Sequence, residues 1–311
     1  MMKRQLIFAA SVFFSATAAQ AGGDDWMIDF EAAKKKAAAE GKDLLIDFTG
    51  SDWCGWCIKL NKEVFQHDPF KKGVADKYVL VELDFPNDKS KLSKETQAQN
   101  AKLQDTYQVQ GFPTILITDA EGMPYAKTGY QKGGPEAYVA HLAKLQESKK
   151  TRDEAFAAAK SKKGVEKATA LFEGLQAVPE DYRSLYTSVI EEIKNNDPED
   201  TTGLIASEKK REAMMDLERK LQAAMSGGDS ATAVKAVDEF VETYKPTGEE
   251  KQQVLAIKLN IHYNDKDFDT MEKVVDEIIA VNPESRFGKQ LANFKATQLQ
   301  ELKKKAAEDK K

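Results

Sequence analysis

Cys54 and Cys57 are the only two cysteines in a chain of 311 residues, and two residues separate them. Thiols at this spacing can close on each other as a disulfide and exchange it with another molecule. The stretch Trp53-Cys54-Gly55-Trp56-Cys57 follows a short apolar run, Leu44 to Phe48, and opens a helical pattern over 54–66. A cysteine at such a strand-to-helix turn sits at a helix amino terminus, where unpaired N–H groups and the helix dipole favour the thiolate. The thiolate is the attacking species in disulfide exchange. Cys57 falls one turn later on the same side, inside the helix and less exposed, where it can resolve a mixed disulfide. Gly55 permits the tight turn.

Other uses of the pair are weaker readings. A zinc site needs about four ligands, and the three histidines, His67, His141 and His262, are scattered. A c-type haem needs histidine directly after the second cysteine, where Ile58 stands. A purely structural disulfide between residues this close restrains little of the unfolded chain. Redox chemistry leads, with no cofactor and no metal expected.

The elements that must hold the pair are legible around it. Ile28 to Glu40 reads as a helix stopped by Gly41, Asp43 to Thr49 as a buried strand and Tyr78 to Phe85 as a second strand. Lys91 to Tyr107 reads as a polar helix, and Thr114 to Thr118 with Pro124 to Thr128 as a hairpin. Gly133-Gly134-Pro135 opens a last helix, with Tyr138, Val139, Leu142 and Leu145 on one face. Alternation followed by a hairpin predicts an α/β domain over 22–150, a mixed sheet with helices on both faces.

Residues 151–311 show no strand signal. Met271, Val274, Val275, Ile278 and Ile279 follow helical spacing, as do Met214, Leu217, Leu221 and Met225, and Val234, Val237, Val241 and Tyr244. Breaks at Gly164, Pro179, Pro198, Gly227-Gly228, Pro246 and Pro283 give helices of about 14 to 20 residues joined by short turns. An all-helical domain is predicted, a bundle or a short solenoid. The Ala-rich helices resemble tetratricopeptide repeats weakly, without a clean repeat period.

Residues 1–21 read as a cleaved signal peptide. Lys3 and Arg4 precede an apolar stretch, Leu6 to Phe14, and Ala19-Gln20-Ala21 forms a cleavage site. The stretch is shorter than the roughly 20 residues a membrane span needs. The mature protein is therefore expected to be exported to the periplasm, without stable membrane insertion. With 46 basic and 51 acidic residues the net charge is −5. No basic face emerges, so nucleic acid is not an expected partner.

Two motifs carry a family resemblance. Asp47-Phe48-Thr49-Gly50-Ser51-Asp52-Trp53-Cys54-Gly55-Trp56-Cys57, followed by Glu63-Val64-Phe65, is similar to the active-site stretch of the thioredoxin fold in its exported bacterial branch. Tyr107-Gln108-Val109-Gln110-Gly111-Phe112-Pro113-Thr114 resembles that family's cis-proline loop. The resemblance implies that Cys54 is the nucleophile, Cys57 the resolving thiol and Pro113 a cis residue packed by the pair. It implies that the Phe112 backbone pairs with an extended substrate. Asp47 matches the family's buried acid, which takes the proton of the resolving cysteine. The chain departs from the pattern twice. Asp47 lies one residue further from the first cysteine than usual, so a bulge is expected to absorb the extra residue. Trp56 replaces the proline of thioredoxin itself; with Trp53 it is a candidate apolar contact for substrates.

The leading function is an exported thiol–disulfide oxidoreductase acting on protein cysteines, a reductase or isomerase in preference to an oxidase. Its expected partners are protein thiols or disulfides and a redox protein that donates or accepts electrons. The alternative is a helical client-binding protein, chaperone or adaptor, in which the redox pair is secondary.

Overall fold

A computed structural model describes residues 25–308. The expected signal peptide lies outside the described residues. The chain forms two compact units that divide between Thr202 and Gly203.

The first unit is built on a five-stranded sheet in the order β1-β3-β2-β4-β5. The strands are β1 (Trp26–Met27), β2 (Asp43–Thr49), β3 (Tyr78–Asp84), β4 (Thr114–Thr118) and β5 (Pro124–Thr128). β1, β3 and β2 run parallel, while β4 and β5 are antiparallel to their neighbours. β2 is paired on both sides, and all seven of its residues are buried. That is why its near-continuous apolar run serves it. The mixed sheet and the helical carboxy-terminal part match the fold class expected from the sequence.

Helix α1 (Phe30–Glu40) starts at Asp29, whose carboxylate accepts from the Ala32 N–H, and ends at Gly41 with φ 65°. Such a left-handed cap suits glycine, which has no Cβ to clash. Helix α2 (Gly55–Leu60) begins at Cys54. It continues as a π-helical turn over Asn61–Phe65, with the Gln66 N–H bonded to the Asn61 carbonyl. The predicted helix over 54–66 therefore has one widened turn, followed by a separate helix, α3 (Asp68–Val74). Helix α4 (Lys94–Thr106) is capped by Ser93, whose hydroxyl accepts from the Thr96 N–H. The core joins Leu45, Leu60, Val64, Phe65, Phe70 and Ile115 with Tyr138 and Leu142.

Tyr138 and Leu142 come from α5 (Gly134–Ala159), a 26-residue helix. It runs unbroken through residue 150, where the sequence suggested a division. Helices α6 (Gly164–Gln176), α7 (Glu180–Arg183) and α8 (Thr187–Asn196) complete this unit. Arg152 of α5 is buried; it pairs with Asp119 at 3.0 Å and donates to the Tyr186 hydroxyl at 2.8 Å. The Tyr186 hydroxyl in turn donates to the Pro124 carbonyl at 2.9 Å.

The second unit contains α9 (Leu204–Ser226), α10 (Ser230–Tyr244), α11 (Gly248–Asn264), α12 (Phe268–Val281), α13 (Arg286–Phe294) and α14 (Gln300–Glu308). Successive helices α9 to α13 pack on one another. Leu217 of α9 meets Val237 and Phe240 of α10 and Val254 of α11, and Leu255 and Leu259 of α11 meet Met271, Val274, Val275 and Ile278 of α12. These residues belong largely to the stripes read from the sequence. Among the described residues, no helix is long and apolar enough to cross a membrane.

Candidate redox site

The site is assembled where β2 ends and α2 begins. The turn between them is tied down from below. Ser51 donates to the Asp84 carboxylate through its N–H at 2.9 Å and its hydroxyl at 2.6 Å. Asp52 accepts from the Asn87 N–H at 2.9 Å and from Lys91 at 3.0 Å. These bonds, that of the Asn87 N–H foremost, hold the Asp52 carboxyl below its ordinary range. The Cys54 N–H donates to the Gly50 carbonyl at 2.9 Å. Gly50 lies so close to the Trp53 indole that a Cβ there would sit 2.5 Å from the ring. Glycine is therefore required by space at this position.

Cys54 is the N-cap of α2. Its sulfur accepts from the Cys57 N–H at 3.2 Å. The two cysteines form a disulfide with a Cα separation of 5.2 Å. Both are buried, at 6 % and 4 % exposure. On reduction the same N–H and the helix terminus would act on the Cys54 thiolate.

Asp47 is buried on β2, directly in register with Glu82 on β3. β2 keeps continuous register with both neighbours from Asp43 or Leu44 to Phe48 or Thr49. The expected bulge is therefore absent from β2. The extra residue is taken up in the turn after Thr49, where no ladder has to be broken. Asp47, Glu82 and Cys57 line one crevice of about 430 Å³ together with Ser51, Asn61 and Lys62. Among the described residues, Asp47 Oδ1 has no hydrogen-bond partner. Burial, then the charges of Glu82 and Asp84, push the Asp47 carboxyl well above its ordinary value.

The peptide bond between Phe112 and Pro113 is cis. The Phe112 ring stands edge-on to Trp53 at 5.7 Å and packs on Phe85 at 5.1 Å. Trp53 also donates its indole N–H to the Phe85 carbonyl at 2.7 Å. It is half exposed but fixed at two points. Trp56 is the more exposed, at 57 % against 47 %. Its ring lies 5.1 Å from that of Tyr130, and the Lys59 ammonium sits 5.0 Å from both ring centres. The Tyr130 hydroxyl donates to Glu63 at 2.6 Å. An exposed aromatic patch therefore adjoins the disulfide.

Sequence reasoning missed Glu82 and Tyr130. Glu82 had a signal: a single carboxylate inside the apolar run Tyr78 to Leu83. Tyr130 had none, since its place beside Trp56 follows from the path of the chain after β5.

A thioredoxin-like domain family matches residues 30–146. The disulfide bond reductase DsbH of Chlamydia pneumoniae is 36 % identical over 113 residues, which are 36 % of this chain and 68 % of that protein. The chain belongs to the thioredoxin-like thiol–disulfide oxidoreductase family. Other thioredoxin-like relatives share less of their length. The thioredoxin-related protein DsbJ of the same organism is 31 % identical over 96 residues, 31 % of this chain and 27 % of the relative. The thiol:disulfide interchange protein DsbD of Vibrio vulnificus (strain CMCP6) is 31 % identical over 107 residues, 33 % of this chain and 16 % of the relative. A solved DsbH oxidoreductase has 30 % identity and a TM-score of 0.38, covering 46 % of this chain and 95 % of that one.

Proposed function

We propose that this protein is an exported disulfide reductase acting on protein cysteines, with Cys54 as nucleophile and Cys57 as resolving thiol. The observation that carries the reading is Cys54 at the amino terminus of α2, with its sulfur held by the Cys57 N–H at 3.2 Å. The name of the DsbH relative supports the direction. The cleavable-signal pattern over 1–21 supports export to the periplasm.

In the forward cycle the Cys54 thiolate attacks one sulfur of a substrate disulfide. A Cys54–substrate bond forms, and the other substrate sulfur leaves with the electron pair. Cys57 then gives up its proton, with Asp47 as acceptor, and attacks Cys54. The Cys54–Cys57 bond forms and the second substrate sulfur departs. Two electrons have passed from the protein pair to the substrate, and a reducing thiol protein must restore them. Trp53, Trp56 and Phe112 form the contact surface for an extended substrate segment, whose backbone pairs with that of Phe112.

Equilibration of the full chain with glutathione tests the direction. A reductase is expected to show a potential near about −270 mV, and a value near about −120 mV would overturn the direction. Cys54→Ser is expected to abolish reduction of protein disulfides; retained activity would overturn the role of the pair.

A further inference from the structure

Trp56, Lys59 and Glu63 recur at helical spacing from α2 into the π-helical turn, so one face carries all three. Tyr130, which follows β5, closes that face. Its ring packs on the core beneath and lies 5.1 Å from the Trp56 ring. Its hydroxyl donates to Glu63 at 2.6 Å. The Lys59 ammonium stands 5.0 Å from both ring centres and 3.9 Å from the Glu63 carboxylate. The rings attract its charge without accepting a strong hydrogen bond, and the short contact of Glu63 goes to Tyr130. Lys59 therefore keeps N–H donors ready for a further acceptor.

The other charges near the disulfide leave this cation prominent. Asp52 is bound by Lys91 and the Asn87 N–H. Asp47 and Glu82 are buried. Lys62, also exposed, adds positive charge beside the crevice that Cys57 borders. Trp56 and Ile58 add exposed apolar area. A segment crossing this face meets aromatic rings and a positive charge, which an acidic side chain flanked by apolar ones complements.

We propose that Lys59 is a specificity-determining residue that selects substrates with an acidic side chain beside the disulfide, and that Tyr130 is the residue that positions it. The inference rests on the exchange cycle proposed above and names the substrate class of that cycle. The substrate carboxylate accepts from the Lys59 ammonium while the neighbouring residues cross Trp56 and Ile58. A free lysine loses rotamer freedom on meeting an anion; Lys59, held between two rings, has lost part of it already. A lysine at the same substrate position brings like charges together and is disfavoured. The contact is exposed, so the gain from the pair is modest, a factor of roughly two to five in affinity.

Single-turnover reduction by the pre-reduced full chain, followed over peptide concentration, tests the selection. The probes are three disulfide peptides that differ only in Glu, Gln or Lys next to one cysteine. The Glu peptide is expected to half-saturate at a concentration roughly two- to fivefold below the Gln peptide, and the Lys peptide above both, with similar plateau rates. High salt is expected to erase this order, as is Lys59→Gln. Equal half-saturation for the three peptides, or an order that Lys59→Gln leaves intact, would overturn the proposal while leaving the cycle standing. Tyr130→Leu is expected to narrow the order without changing the plateau rates; the full order retained, or an equal loss on all three peptides, would overturn its positioning role. A dimer of the parent in sedimentation, lost in Trp56→Ala, would give the face to a second copy and overturn the proposal as well. Exchange that survives Cys54→Ser would sink the cycle itself.

Discussion

Replacing Asp47 by asparagine should make the oxidised protein progressively more stable, relative to the parent, as the pH rises. Unfolded, the aspartate titrates near 3.8; folded, burial and the charges of Glu82 and Asp84 hold it well above that. Between the two values the native chain keeps a proton that the unfolded chain has released. The native state then binds more protons, so parent stability falls with pH across this window, at up to about 1.4 kcal/mol per pH unit. Above the folded-state value the loss levels off. Asparagine has no proton to lose, so the stability difference should open with that slope. The new amide brings N–H donors into a buried site, at a pH-independent cost of about 1–3 kcal/mol. The slope is therefore the readout, and the intercept is not. All three tryptophans lie within the first unit, so tryptophan emission reports its unfolding selectively. Equilibrium urea unfolding, with the disulfide intact, should be run for both proteins at a series of pH values. A stability difference that stays flat from mildly acidic to mildly alkaline pH would refute the burial reasoning.

Two further outcomes follow from the same geometry. Trp56→Ala should raise KM for protein disulfides several-fold while the glutathione-determined potential stays near that of the parent, because Trp56 is exposed and touches Tyr130 and Lys59; a changed potential with unchanged KM would refute its contact role. Arg152→Ala should cost the first unit about 3–5 kcal/mol in chemical denaturation, because it removes the cation paired with the partly buried Asp119 and one of the two hydrogen bonds of the buried Tyr186 hydroxyl; a loss under about 1 kcal/mol would show that the pair is solvated.

Much of the site could be read in the chain because its chemistry is local. Cys54, Gly55 and Cys57 fall within one helical turn, and the strand before them is apolar enough to identify itself. The loop Gly111-Phe112-Pro113 carries its own proline. What escaped depends on register and on long-range packing. Glu82 becomes a neighbour of Asp47 only once β2 and β3 pair, and a one-residue slip would turn it to the other face. The turn over 50–53 absorbs a residue that spacing alone assigned to a bulge, because Asp84 and Asn87, more than thirty positions away, hold it. The two-residue strand β1 is too short to show a period. The π-helical turn after Leu60 leaves the apolar stripe Leu60, Val64, Phe65 in place and so hides within a helical pattern.

Helix α5 has one more consequence, for modularity. Its first half carries Tyr138 and Leu142 into the core beneath the disulfide, and its second half carries Lys149 to Asp43 and Arg152 to Asp119. Asp43 also accepts from the buried Tyr125 hydroxyl at 2.7 Å. The end of the redox sheet away from the cysteines is therefore held by side chains from a helix whose last turns lie among α6 and α8. A single rigid rod joins the two, so local opening of the helices pulls directly on the strands that frame the cysteines. The redox half behaves as a keystone set in an arch, and a recombinant chimera that moves it into another protein must carry the helix through Ala159, with whatever covers it, to arrive folded.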